Sequence, residues 1–287
     1  MEAKNISVSE AKNIMLSQLA EIFEKREILF LSDMLLGYLM DLTKPQIHAE
    51  PNQILSQKEE KGFLQALDRL MKEEPIEYIL GKTTFFDLEF KVNEHVLIPR
   101  PETEELAAWI IDEYQNQKPS ILDIGTGSGC IIAVLMKNII HSKGYATDVS
   151  EKALETAKSN AERHQLKILF QHHDILKGRP PFTGEKFDVI VSNPPYVREK
   201  EKQEMQKNVL AYEPHQALFV PNLNALRYYR KIGEHGLKML NPGGSLFLEI
   251  NEYLPDETRY LLLDLGYKNA EVRKDLNDKS RMIKATI

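Results

Sequence analysis

The spacing of apolar residues changes character twice along the chain. Over residues 1 to about 80 it is helical. In "SVSEAKNIMLSQLAEIFEKRE" the residues Ala11, Met15, Leu19 and Ile22 share one face, and Ser7 with Glu10 stands at capping-box spacing ahead of them. "REILFLSDMLLGYLMDL" predicts a second, more buried helix. A third opens with Ser56 and Glu59, aligns Phe63, Leu67 and Leu70, and stops near Pro75. From about 83 to 99 the period falls to two. Phe86, Leu88, Phe90 and Val92 alternate with Asp87, Glu89 and Lys91, which predicts a strand, and "NEH" turns it into "VLIP" as a hairpin.

After residue 100, strands and helices alternate. "SILDI" (120–124), "KGYATD", "LKILFQHHD", "KFDVIVSN" and "SLFLEIN" predict strands. "CIIAVLMKNII", "SEKALETAKSNAERHQ", "NALRYYRKIGEHGLKMLNPGG" and "YLPDETRYLLLDLG" predict helices, and two last strands around "YKNAEVRKD" and "RMIKATI" predict an antiparallel edge hairpin. Such alternation gives an α/β, Rossmann-like, mostly parallel sheet with helices on both faces. The expected organisation is an N-terminal helical bundle domain at 1–82, a hairpin linker at 83–99 and an α/β domain at 100–287.

Composition and charge narrow the classes. With 42% hydrophobic residues in 287, the chain can bury one large or two ordinary cores. No run of 18 apolar residues exists, and "MEAKNISVSE" lacks the basic and apolar regions of a signal peptide. The one cysteine, Cys130, excludes an internal disulfide framework, so a cytoplasmic protein without a membrane role is expected. The net charge is −6; through residue 85 there are 10 Lys and Arg against 14 Asp and Glu. A helical module of that sign suits a protein partner, or serves as a solubilising cap, better than it grips a phosphate backbone, so no nucleic-acid substrate is expected. The eight histidines show no metal-like spacing, and adjacent His172 and His173 read as strand-end residues. No metal is expected.

Chemistry concentrates at the strand ends, where open α/β sheets bind ligands. The first predicted strand of the α/β region runs into "DIGTGSGC". Gly125, Gly127 and Gly129, with Thr126 and Ser128 between them, form a loop that brings backbone close to a ligand. Dinucleotide G-x-G-x-x-G spacing fails, because Cys130 or Ile132 would have to be glycine, and a P-loop lysine is absent. Asp123, just ahead of the loop, suits a ligand carrying a cationic amine or sulfonium better than pyrophosphate. The next strand ends at Asp148, which can accept from two ribose hydroxyls; its ordinary alternative is an N-cap for "SEKAL". The third ends at Asp174 and Ile175, an acceptor for an exocyclic adenine amine beside an apolar wall. This is the layout expected for S-adenosylmethionine on a class I methyltransferase sheet.

The fourth strand ends in "NPPY", Asn193 to Tyr196. The Asn193 side-chain oxygen and the Pro194 carbonyl can hold both N–H bonds of a planar NH2, while Pro195 stiffens the turn and Tyr196 stacks on the planar group. That chemistry fits adenine, cytosine or a glutamine side-chain amide alike.

"PIEYILGKTTFFDLEFKVNEHVLIPRPETEEL" (75–106), "LDIGTGSGCIIAVL", "NPPYV", "YEPHQAL" (212–218) and "KDLNDKSRMIKA" (274–285), in that order, resemble the bacterial release-factor glutamine methyltransferases. The resemblance implies a seven-stranded sheet and methyl transfer from S-adenosylmethionine to N5 of the glutamine in the Gly-Gly-Gln loop of class I release factors. It also implies that Gly125 to Gly129 and Asp148 contact methionine and ribose, that Ile175 lies beside adenine, and that Asn193 serves cofactor and substrate together. The segment "IPRPETEE" is similar to the family's closing segment; Arg100 and Glu102 within it, and Glu213 and Pro214 beyond, have structural alternatives as an ion-pair former or a buttress of the NPPY loop. One departure is Asn251, where many relatives carry glycine, and it is read as a matter of sheet packing. The rivals are a glutamine methyltransferase acting on a ribosomal protein, an N6-adenine or N4-cytosine nucleic-acid methyltransferase, and a noncatalytic protein that keeps the fold.

Overall fold

A computed structural model describes residues 6–178 and 181–287, which fall into two units. The first five residues, read above for a leader signal, lie outside the described set.

The first unit is helical: α1 (Val8–Gln18), α2 (Lys25–Met40), α3 (Lys44–Ala49), α4 (Gln57–Leu70) and α5 (Ile76–Leu80). Both expected capping boxes form, with Ser7 and Glu10 satisfying each other's backbone N–H at α1, and Ser56 and Glu59 doing so at α4. Met15, Leu19, Leu35, Leu36, Phe63 and Leu67 meet in its core. A later segment, Gln206–Tyr212, belongs to this unit as well, and the Tyr212 hydroxyl donates to the Lys72 carbonyl at 2.7 Å.

The second unit opens with a hairpin of β1 (Lys82–Phe85) and β2 (Leu88–Lys91), registered Lys82 opposite Lys91 and Phe85 opposite Leu88. This corrects the single-strand reading of 86–92. Phe86 and Asp87 both take positive φ, 51° and 60°, which makes a two-residue turn in the middle of the alternating run. Glu104 fixes the turn by accepting the Phe86 N–H at 2.7 Å. A turn does form at 93–96, but "VLIP" joins no sheet.

Then come α6 (Pro101–Tyr114), β3 (Ser120–Ile124), α7 (Cys130–Asn138), β4 (Lys143–Asp148), α8 (Glu151–Arg163), β5 (Ile168–His172), β6 (Phe187–Ser192), α9 (Arg227–Met239), β7 (Leu240–Glu249), α10 (Pro255–Leu265), β8 (Asn269–Lys274) and β9 (Ser280–Thr286). Helix α6 was not among the elements read from the sequence. The seven-stranded sheet runs β8–β9–β7–β6–β3–β4–β5, with β9 alone antiparallel to its neighbours. Strand alternation sorts the core into two layers. Ile121, Val189, Val191 and Phe247 pack towards α6 and α7, and Leu122, Ile124, Ile190 and Leu248 towards α9 and α10. The chain winds outward from β3 to β5, then returns to lay β6 on the other side of β3. The winding therefore reverses between β3 and β6, where a crevice opens at the strands' C-terminal ends.

Candidate active site

The loop after β3 is held open by its glycines. Gly125, Gly127 and Gly129 take φ of 74°, 55° and 79°, a region L side chains avoid. A Cβ at Gly129 would also meet the Cβ of Ala157 on α8 at 3.1 Å, so this glycine lets two helices approach. The buried amide of Asn160 braces the loop by donating to the Ser128 carbonyl at 2.9 Å, while its Oδ1 accepts the Lys91 N–H at 2.7 Å.

Gly125, Thr126, Gly127, Ser128, Asp148, Asp174, Ile175, Asn193, Pro194 and Pro195 all line one cleft of about 380 Å³, within the usual range for small-molecule sites. Asp148 Oδ2 accepts from the Gly127 N–H at 2.9 Å and Oδ1 from the Ser150 N–H at 2.8 Å. The N-cap of α8 is Ser150, so Asp148 ties the loop to β4. Each of its oxygens keeps further acceptor capacity. Burial pushes its carboxyl up despite those N–H donors. Asp174 accepts the Leu176 N–H at 3.0 Å and pairs with Lys177 at 3.0 Å. Ile175, Val149 and Tyr228 supply apolar wall.

Three of the residues read from the sequence as cofactor or NPPY site residues do not line the cleft. Asp123 shares strand parity with Ile121 and so points into the α7 layer. It is 0% exposed, its Oδ2 accepts the Thr126 hydroxyl at 2.6 Å, and its Oδ1 has no partner among the described residues. Burial, with the charge of Asp148 adding, pushes its carboxyl up to about 7. Gly129 packs against α8, as above. Tyr196 sends its hydroxyl inward to Glu249 Oε1 at 2.8 Å, so its ring is anchored beside the cleft. Burial and that neighbouring carboxylate hold its phenol well above the ordinary range, which keeps it neutral.

Arg100 and Glu213 form an ion pair, joining "IPRPETEE" to "YEPHQAL"; Glu213 is buried. Glu102 makes no ion pair among the described residues. Asn251 corrects its sequence reading. Its Nδ2 donates to the Tyr196 carbonyl and to Glu201 Oε2, both at 2.9 Å, so it ties the NPPY turn to the end of β7. Sequence reasoning missed Thr103 and Glu249, which touch Asn193 and Tyr196. Glu249 carried a signal: it is a lone acid in an apolar strand, where a buried charge needs partners. Cys130 lines the cleft, but burial pushes its thiol up to about 12, so it is no nucleophile. Among the described residues no cluster could hold a metal ion, and no helix is long and apolar enough to cross a membrane.

The donor set fits S-adenosylmethionine. The glycine loop leaves room for the ligand's backbone-sized parts, Asp148 can take ribose hydroxyls, and Ile175 offers an adenine wall. Two family descriptions match the chain: a "Methyltransferase small domain" over residues 105–218 and a "PrmC N-terminal domain" over 16–81. It is 46% identical over 272 residues to the "Release factor glutamine methyltransferase" of Flavobacterium psychrophilum, covering 93% of this chain and 94% of that one. With the protein of the same name from Bacteroides thetaiotaomicron it shares 40% over 268 residues, covering 93% and 95%. The crystal structure of a methyltransferase from Pyrococcus furiosus shares the fold, with a TM-score of 0.52 at 20% identity over 77% of this chain and 98% of that one.

Proposed function

Since this chain belongs to the release factor glutamine methyltransferase family, we propose that it methylates a glutamine side-chain amide, at N5, in the Gly-Gly-Gln loop of class I peptide chain release factors. S-adenosylmethionine, when bound, supplies a methyl group on a cationic sulfur. The residues that hold this cofactor are Gly125 to Ser128, Asp148, Asp174 and Ile175. The observation that carries the reading is the position of Asn193 and Pro194: they end β6 in the same cleft as the glycine loop and Asp148.

An amide nitrogen is a poor nucleophile because its lone pair is delocalised into the carbonyl. The Asn193 Oδ1 and the Pro194 carbonyl accept the two N–H bonds of the substrate amide and fix its plane. Pro194 has no N–H of its own to compete, and the Pro194–Pro195 pair keeps the carbonyl from turning away. The π face of the nitrogen is then presented to the cleft. Tyr196, its hydroxyl tied to Glu249, stiffens the turn that carries these two acceptors. No base is needed beforehand, because the nitrogen becomes acidic only as it gains the methyl. Positioning supplies most of the acceleration, for which oriented reactants can contribute on the order of 7–11 kcal/mol. The acidic balance of the helical segment supports a protein partner over a nucleic acid.

The test is mass spectrometry of a full-length class I release factor incubated with the protein and S-adenosylmethionine, beside the same factor with Ala for the loop glutamine. One methyl gained only by the glutamine form is the expected result. Gain on both forms, or on neither while cofactor still binds, overturns the proposed substrate.

A further inference from the structure

Asn193 is held from behind by a chain of hydrogen bonds whose direction is fixed at its far end. Glu249, the last residue of β7, is 1% exposed. Its Oε2 accepts the Thr103 hydroxyl at 2.6 Å and its Oε1 accepts the Tyr196 hydroxyl at 2.8 Å. Burial raises the Glu249 carboxyl, while the Thr103 and Tyr196 hydroxyls and the charge of Arg281 favour its ionised form. As a carboxylate it accepts and never donates, so the single Thr103 proton is committed to it. What Thr103 then offers to its other neighbour is a lone pair. The Asn193 Nδ2, 3.2 Å away, donates to it.

The two ends of an asparagine amide are nearly equal in shape, and only the surrounding hydrogen bonds decide which way round it sits. We infer that Glu249, acting through Thr103, is a positioning residue that fixes the Asn193 amide with its oxygen turned to the substrate. This inference rests on the proposed methylation of an amide nitrogen, because only an NH2 substrate needs an acceptor there. With the amide reversed, Nδ2 would meet the substrate's own N–H bonds, donor against donor. The same carboxylate anchors Tyr196, so one buried group orients both ends of the NPPY turn.

Thr103→Val removes the relay with little change of shape, and Thr103→Ser restores the hydroxyl. For Thr103→Val the expected kcat is at least ~10-fold below wild type, equivalent to about 1.4 kcal/mol in the barrier, with KM for the release factor and Kd for S-adenosylmethionine each within ~3-fold. Thr103→Ser is expected to recover kcat to within ~3-fold of wild type. A second readout does not depend on turnover. The side-chain NH2 resonance of Asn193, assigned by its loss in Asn193→Ala, should move in Thr103→Val and return in Thr103→Ser. Should Thr103→Val fail to fold, Glu249→Gln carries the comparison, since a carboxamide keeps an acceptor at only one of the two positions that now receive Thr103 and Tyr196.

An active wild type with an equally active Thr103→Val and an unmoved resonance overturns this inference and leaves the proposed reaction standing. Thr103→Ser that falls as far as Thr103→Val also overturns it, because the hydroxyl then has no part. A wild type that binds cofactor yet methylates no glutamine removes the reaction itself and this inference with it.

Discussion

The side-chain amide of Asn251 reaches back 2.9 Å to the main-chain carbonyl of Tyr196, so the end of β7 holds the turn that ends β6. Its second donor hydrogen goes to Glu201, and its Oδ1 accepts the Tyr253 N–H at 2.9 Å. Asn251→Gly deletes these bonds in a buried setting and leaves the Tyr196 carbonyl without this donor. A loss of about 1–3 kcal/mol in urea unfolding is expected, together with a fall of roughly 3- to 10-fold in kcat as the turn loosens. A variant with unchanged kcat would show that the turn is held without Asn251.

Arg100 and Glu213 join two segments that are far apart in sequence and flank the cleft. The carboxylate is buried, whereas the guanidinium is 34% exposed, so the pair is costlier to break from the arginine side. Arg100→Ala is expected to lower stability by roughly 1–3 kcal/mol, and Glu213→Gln by less. A double-mutant cycle read by urea denaturation should give a coupling energy of about 1 kcal/mol or more. Strict additivity would reduce the pair to a surface contact.

Asn193→Ala removes the acceptor proposed to receive the substrate amide but leaves the glycine loop and Asp148 in place. By analogy with the loss of a single preorganised hydrogen-bonding group, kcat should fall by ~10²–10³. Calorimetric affinity for S-adenosylmethionine should change far less. Retained turnover within about tenfold would sink the proposed clamp.

Burial puts a pH signature on the Asp123 carboxyl, with the charge of Asp148 adding to it. The group titrates near 4 in an unfolded chain and at about 7 in the folded one. Between those values the folded state holds a proton that the unfolded state has released, so stability falls as pH rises across this window. The loss is on the order of 4 kcal/mol at most. Asp123→Asn keeps an oxygen for the Thr126 hydroxyl and removes the titration. Its urea midpoint should match wild type near pH 4 and exceed it at pH 8. Curves that stay parallel from pH 4 to 8 would place the native carboxyl near its ordinary range.

Local rules carried the sequence reading wherever an element's own residues decide its shape. Ser7 with Glu10 and Ser56 with Glu59 marked two helix starts, and Asp148, Asp174 and Gly125 to Ser128 line the cleft at the strand ends where they were expected. The misses share a cause, which is that tertiary partners decided the outcome. Asp87 is an ordinary turn residue, but Phe86 is not, and the pair turns where Glu104 takes the Phe86 N–H, a partner that local sequence does not reveal. Asp123 was assigned to the ligand from its neighbourhood in sequence, although strand alternation sends it to the opposite side from Leu122 and Ile124. Thr103 lay inside a segment already singled out, but nothing in its spacing announces a hydroxyl caught between a buried acid and an amide 90 residues away.

The helical unit takes in Gln206–Tyr212 as well as the residues up to Gly81, so the chain leaves it, crosses the whole glycine loop and NPPY turn, and comes back. Cutting the gene at Gly81 therefore does not excise a module. The shortened protein would keep an orphaned stretch whose packing partners had been removed, and the separately expressed bundle would lack Tyr212 and its bond to Lys72. Loss of activity on such a deletion reports two lesions at once. A cleaner dissection exchanges bundle surface residues in the intact chain and leaves the threading alone.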